Sequence, residues 1–468
     1  MSLLTPLLDF VAARWPRLVL ALAEALSARA PARALALFAR AARAGNTQAA
    51  YRVGEAYFTG QGTMCHAFAA ARWYCCAAEA GHPLAQCRLA QLYISGLPQT
   101  ATAPQMNLFA PAQPGEADYE AALPWALRAA EAGLPEAQAM LGHIFTTGPA
   151  TLRAPDAALE WYGKSARQGC AEGALGYGLA LLQRAHDAAG TAAARAQLER
   201  AAEAGLPVAH YLLGRLSESE EGGAPVARRH YEIAGKAGLG LAQTRLGLQL
   251  YETDPLNGET WLRRAARGGD PEAAAWLGNL YANSGPQSEA ACWWRLAAER
   301  GHIEAARALG TLCLTGGNAV RDPVEAARWL TTAAEAGLPD AQAALAECHV
   351  NGRGVARDHE AACSWFLRAA AAGHAGAMFA LGALHSGGFD LAEDLTTARH
   401  WFAQGAAHNH PLAAIMLARY AMHGTGGGRD MAAARHWYAH AAALGVPAAA
   451  EELSALNQEE SDQATEAR

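Results

Sequence analysis

Twelve times along this 468-residue chain a small residue, nearly always glycine, is followed four places later by Ala or Gly. The anchors are Gly45, Gly81, Gly133, Gly169, Gly205, Gly238, Gly269, Gly301, Gly337, Gly373, Asn409 and Gly445. Seven of the eleven gaps between them are 36 residues, and the others are 52, 33, 31 and 32. A period of this length constrains the chain to a helical solenoid, because one such unit cannot bury its apolar face without neighbours. Arrays of this kind present surfaces rather than enclosed catalytic pockets, so a binding scaffold is the first expectation.

The columns around the anchor carry the packing logic. Eight places before it stands Trp in nine of twelve units, as in Trp73, Trp161, Trp329 and Trp437. Small residues occupy the third and fourth places before it, and a large residue followed by a small one comes eight and nine places after, as in Leu213-Gly214. Trp-Ala-Ala and Ala-Leu-Gly each fall at helical spacing on one face, which predicts two closely packed helices per unit with Trp filling the core. The anchor suits a left-handed helix terminus, and Pro135, Pro207, Pro271, Pro339 and Pro447 suit the next first turn. Asp322 and Asp358 are expected to cap helices after a Gly-containing turn.

Trp161-Tyr162, the Ala-Ala-Glu-x-Gly run at Ala77 to Gly81 and Ala333 to Gly337, and the turn Gly352-Arg353-Gly354-Val355 leading to Asp358 resemble Sel-one-like repeats, relatives of the tetratricopeptide repeats. The resemblance covers about residues 31–455 and implies an all-α, right-handed α-solenoid of about twelve helix–turn–helix repeats. It also implies adaptor roles. The region 205–301 departs from the pattern, with short turns and two units lacking Trp, and a change of curvature is expected there.

Residues 1–30 precede the array and carry an apolar stripe from Leu4 to Leu26, kinked at Pro16. Three readings are open: helices capping the open end, a helix lying on a membrane surface, and a signal peptide ending near Ala28-Arg29-Ala30. Asp9, Pro16 and Glu24 interrupt the apolar region that a signal peptide needs, so a cytoplasmic location, with peripheral membrane contact through 1–30, ranks above secretion. An insertion at 97–115 offers Leu108 and Phe109 as a candidate docking loop. Residues 456–468 form an acidic tail expected to fray. Net charge is −7, without the basic surplus that nucleic-acid binding needs. The chain holds only two lysines, Lys164 and Lys236, which reads as the codon bias of a GC-rich, bacterial genome. Nine irregularly spaced cysteines point to reduced thiols, with Cys348 and Cys363 placed on antiparallel helices as the pair most able to bridge.

Catalytic signatures are missing. Gly163-Lys164-Ser165 lacks the first glycine of a phosphate loop, since Ala158 stands there, and no His-Glu-x-x-His or Gly-x-Ser-x-Gly occurs. Some members of the resembled family bind or hydrolyse β-lactams, but a Ser-x-x-Lys here would need serine at Trp161 or Ile233. Eight of 17 histidines fall between His374 and His440, and they read as a solvated helix face rather than a metal site. No cofactor, metal or catalytic residue is implied. If the first helix of each pair lines a groove, as in tetratricopeptide arrays, the column ten places past the anchor should face a protein or peptide partner. Its polar members are Glu55, Gln91, His143, Arg215, Asn279, Thr311, Glu347 and Arg419. The expected function is a non-enzymatic adaptor, with a membrane-peripheral assembly factor for envelope or polysaccharide export as the alternative.

Overall fold

A computed structural model describes residues 14–96, 117–387 and 391–466. Among them every regular element is an α-helix, and the helices alternate in antiparallel pairs. The chain divides into two compact units, 1–237 and 238–468. In the first, the pairs are Pro16–Ser27 with Pro31–Arg43, Thr47–Thr59 with Ala67–Glu79, Pro83–Ile94 with Tyr119–Glu131, Pro135–Thr147 with Pro155–Arg167, Ala171–Arg184 with Ala188–Glu203, and Pro207–Glu218 with Ala224–Lys236. In the second they are Gly240–Tyr251 with Pro255–Arg267, Pro271–Ser284 with Gln287–Ala298, Ile303–Thr315 with Pro323–Glu335, Pro339–Asn351 with His359–Ala371, Ala375–His385 with Leu395–Ala407, and Pro411–His423 with Met431–Ala443, closed by Pro447–Glu466. Each unit is an α-solenoid.

All twelve anchors end the second helix of a pair with a positive φ, from 58° at Asn409 to 111° at Gly269. Asn409 is the sole non-glycine in that region among the described residues. The turn is a Schellman closure: the His82 N–H donates to Ala77 O at 3.0 Å, and the same step recurs at His302, His374 and His410. At Gly337 a Cβ would find no atom within 4 Å, so backbone handedness alone selects glycine there. Asp322 and Asp358 accept from the backbone N–H groups of Glu325 and Ala361 at 3.0 and 2.9 Å, as the sequence predicts. Histidine also caps: the Nδ1 atoms of His82, His302, His374 and His410 each accept the N–H three residues on, at 3.0–3.3 Å. The solvated-face reading of the clustered histidines misses this role for His374 and His410.

The core differs from the expected one by a single place. Trp73, Trp125, Trp161, Trp261, Trp293, Trp365, Trp401 and Trp437 are only half-buried, and Trp329 alone of that column is buried. In most units the residue after that column is the true core filler, as with Tyr74, Leu330, Phe402 and Tyr438, and with Tyr231 after His230, all at 0–1% exposure. Tyr74, Tyr231, Leu330 and Phe402 drop onto the glycine nine places past the preceding anchor, whereas the equivalent place before Tyr438 is Ala418. A Cβ on Gly54, Gly214 or Gly382 would lie 2.5 Å from a ring carbon of Tyr74, Tyr231 or Phe402. Successive helix positions differ by about 100°, so one of two adjacent large residues faces the partner helix and the other its flank. The displaced tryptophans carry cations instead: Lys164 lies 4.0 Å from the Trp161 ring centre, Arg368 4.6 Å from Trp365 and Arg128 4.9 Å from Trp125.

At one end, Val19 packs with Ala41 and Ala49, and Ala23 with Ala34, Phe38 and Val53, so Pro16–Ser27 shares the core of the first pairs. At the other, the tail expected to fray continues as the helix Pro447–Glu466, where Ala, Glu and Gln favour helix. Its Glu452 takes a two-pronged ion pair from Arg419, with Arg419 Nε at 3.1 Å. All nine cysteines, Cys348 and Cys363 among them, are free thiols.

The anchor geometry sets a graded expectation. Gly337→Ala should lower unfolding free energy by about 1–2 kcal/mol through left-handed strain. Gly337→Asn should cost less, since Asn409 holds the equivalent place. Denaturant melts of the two variants check the order.

Candidate functional site

The first helices of four consecutive pairs in the first unit line one cleft of about 660 Å³. Its walls come mostly from places three, six, seven and ten past the anchors, with Ile94 at place thirteen, which is one face of a helix. Thr47–Thr59 gives Tyr51; Pro83–Ile94 gives Leu84, Cys87, Arg88, Gln91 and Ile94; Pro135–Thr147 gives Glu136, Ala139, Met140 and His143; Ala171–Arg184 gives Glu172, Leu175, Gly176 and Leu179. Tyr162 lies beneath. The floor is apolar and the upper rim carries carboxylates.

Glycine shapes this cleft. The helix Ala171–Arg184 contains Gly173, Gly176 and Gly178, and it packs against both Pro155–Arg167 and Pro135–Thr147. A Cβ on Gly176 would stand 2.2 Å from Tyr162 Cε1, and one on Gly173 would stand 2.2 Å from Ser165 Oγ. Bare backbone on that face lets the helix settle onto its neighbours and bring Leu175 and Leu179 beside Met140.

The polar groups at the Tyr51 end are mutually satisfied. Glu55 accepts from the Tyr74 hydroxyl at 2.7 Å and from Arg88 Nε at 3.0 Å, while Arg88 also donates to Gln91 at 3.0 Å. Burial, with the Glu55 carboxylate second, raises the Tyr74 pKa far above its ordinary value and keeps the phenol protonated. Burial pushes the Cys87 thiol up to about 11, which favours the protonated form. The Tyr51 ring stacks on His82 at 4.9 Å between centres. Burial lowers the His143 pKa and favours the neutral imidazole.

Of the predicted groove column, Gln91 and His143 therefore share the cleft, and Glu55 braces its end through Arg88. Arg215, in the same unit, lies outside it with its guanidinium 3.4 Å from the Tyr211 hydroxyl. In the second unit, Asn279 accepts the Trp294 ring N–H at 3.0 Å, Thr311 donates to Arg307 O at 3.0 Å, and Arg419 is held by Glu452. Glu347 is exposed. Leu108 and Phe109 fall outside the described residues. The column omits Met140, Leu175, Glu136 and Glu172, which a helical step of three, four or seven back from it would have found.

Among the described residues, no three His, Cys, Asp or Glu gather as a metal-binding group. Ser165 of the Gly163-Lys164-Ser165 run is buried and donates to Pro135 O at 2.6 Å, while Lys164 covers Trp161. Among the described residues, no helix is long and apolar enough to cross a membrane.

Eleven segments match the Sel1 repeat, at 28–46, 47–82, 83–101, 111–134, 135–170, 240–270, 271–302, 303–338, 339–374, 375–410 and 411–446. The chain belongs to the Sel1 repeat family. Residues 171–239, which include the glycine-rich cleft helix, match no repeat; they overlap the irregular region 205–301 over 205–239, while 240–270 and 271–302 match. The Sel1 array is 30% identical over 209 residues to an uncharacterized protein of Neisseria meningitidis, covering 44% of this chain and 39% of that one. It is 33% identical over 135 residues to the chitin synthase regulator SKT5 of Saccharomyces cerevisiae, covering 28% and 17%. These matches span well under half of either relative. Among solved structures, the Sel1-like repeat protein c5321, a protective antigen of uropathogenic Escherichia coli, aligns over 91% of this chain and 90% of its own, with a TM-score of 0.57 and 25% identity. A Sel1 repeat protein from Oxalobacter formigenes aligns over 68% and 93%, with a TM-score of 0.48 and 25% identity.

The histidine caps make stability depend on pH. Burial lowers the pKa of His82, His143 and His410 from the ordinary 6.5. A histidine with a lowered folded pKa contributes stability that is complete above pH 6.5 and is lost as pH falls below it. Carboxylates with lowered pKa, such as Glu325 and Glu452, act only at and below the usual carboxylate range. Denaturant midpoints should therefore fall between pH 7.5 and 5.5. His82→Asn with His410→Asn, which keeps both caps without titration, should flatten that fall.

Proposed function

We propose that this chain, like the Sel1 repeat proteins that generally mediate protein–protein interactions, is an adaptor that holds a segment of a partner protein in the cleft of its first unit. The observation that carries this reading is the cleft itself: about 660 Å³, largely apolar in its lining and built from four consecutive repeats. A partner segment laid across it touches every one of those repeats, so many weak contacts sum without any one of them being strong. The family of non-enzymatic scaffolds, the protonated Cys87 and the yeast relative's description as a regulator of a synthase all support the reading. The Neisseria and Escherichia relatives support a bacterial source.

A second reading concerns the amino-terminal helix. Trp15, Leu18 and Leu22 are 49–64% exposed beside the exposed Arg14 and Arg17, a combination suited to an anionic membrane surface. It supports a cytoplasmic adaptor with peripheral membrane contact, the setting of an envelope assembly factor.

Photo-crosslinking in native cells tests the cleft. Benzoylphenylalanine at His143 should give a covalent adduct with a discrete partner, whereas the same group at exposed Leu127 on a second helix should not. Equal adducts at both positions, or none, contradict the cleft reading. Sedimentation with phosphatidylglycerol vesicles tests the membrane reading: Leu18→Glu with Leu22→Glu should abolish binding, and unchanged recovery contradicts it.

A further inference from the structure

The chemistry of the cleft narrows what it can hold. Charges at its Tyr51 end cancel, because Arg88 is paired with Glu55 at 3.0 Å. His143 is held toward its neutral form by burial. Glu136 and Glu172 remain as the uncompensated charges of the wall. Both are exposed, both stand in the first turn of their helices, and neither makes an ion pair among the described residues. Glu172 accepts only the Cys170 thiol, at 3.3 Å. They occupy the same place in consecutive repeats, so they form two rungs above the floor of Met140, Leu175 and Leu179.

We propose that the cleft takes an extended polypeptide segment in which two basic side chains, about three residues apart, flank a large apolar one. This deepens the adaptor reading and rests on it. Directly packed helices lie roughly 8–10 Å apart. A polyproline-type strand rises about 3.1 Å per residue with three residues per turn, which returns residues i and i+3 to one face about 9 Å apart. Two guanidinium or ammonium groups on that face meet Glu136 and Glu172. A side chain turned about 120° from them enters the floor, where Met140 adapts to its shape. An acidic segment would instead place like charges against an already negative rim.

A bead-displayed library of randomised dodecapeptides, probed with the labelled full-length protein, tests this. Enriched sequences should carry at least two Arg or Lys around Leu, Ile, Met or an aromatic residue. Their binding should weaken at least tenfold in the double variant Glu136→Gln with Glu172→Gln and with rising salt. Glu120→Gln, which removes the same kind of first-turn carboxylate from a second helix, should leave binding unchanged, and thermal melts of both variants confirm folding. Enrichment of neutral or acidic peptides, or of basic peptides indifferent to the double variant, overturns the proposal and leaves the adaptor reading to the crosslinks. Absence of enrichment overturns it as well, and with absent His143 adducts the adaptor reading falls too.

Discussion

The structure depends on one steric device: a helix with a bare glycine receives a large side chain from its partner. Gly54, Gly214 and Gly382 receive Tyr74, Tyr231 and Phe402, while Gly247 and Gly310 receive Leu262 and Leu330. Glycine inside a helix costs roughly 0.5–1 kcal/mol relative to alanine. Burying a ring or a leucine contributes roughly 1.5–3 kcal/mol, so the exchange favours the interlock. Most helix pairs share this joint, and Ala90, Ala346 and Ala418 stand at the equivalent place in others.

The cleft is a local exaggeration of that device. In Ala171–Arg184 glycines stand on more than one face, and the helix approaches both the helix before it and the preceding first helix. That double approach sets Leu175 and Leu179 in the same cleft as Met140 and His143. The helix Ala171–Arg184, which lies in the stretch 171–239 left unmatched by the repeat, contributes one wall of the cleft. The regular repeats supply the frame, and the irregular one supplies depth.

Much of this was legible in the chain. Anchors, proline starts and aspartate caps follow from backbone rules that act within a few residues, and they sit where the sequence places them. Trp was misassigned because two adjacent large residues, such as Trp73 and Tyr74, compete for one face, and size alone points to the wrong one. The glycine nine places past the anchor was the discriminating signal, since only the deeper residue needs it. Histidine caps were missed because imidazole caps a helix only as a neutral acceptor at Nδ1, a state the sequence does not display. The groove column caught Gln91 and His143 but not the carboxylates three places past the anchor, whose surroundings depend on contact between repeats.

A double-mutant cycle at Gly382 and Phe402 measures the interlock without a competing hydrogen bond. A Cβ at 382 would stand 2.5 Å from Phe402 Cε1. Gly382→Ala in the wild-type background should lower unfolding free energy by about 1–3 kcal/mol through overpacking. In the Phe402→Ala background the same change should be neutral or stabilising by up to about 1 kcal/mol, as helix propensity alone would have it. An equal cost in both backgrounds would contradict the interlock as the joint on which the array is built.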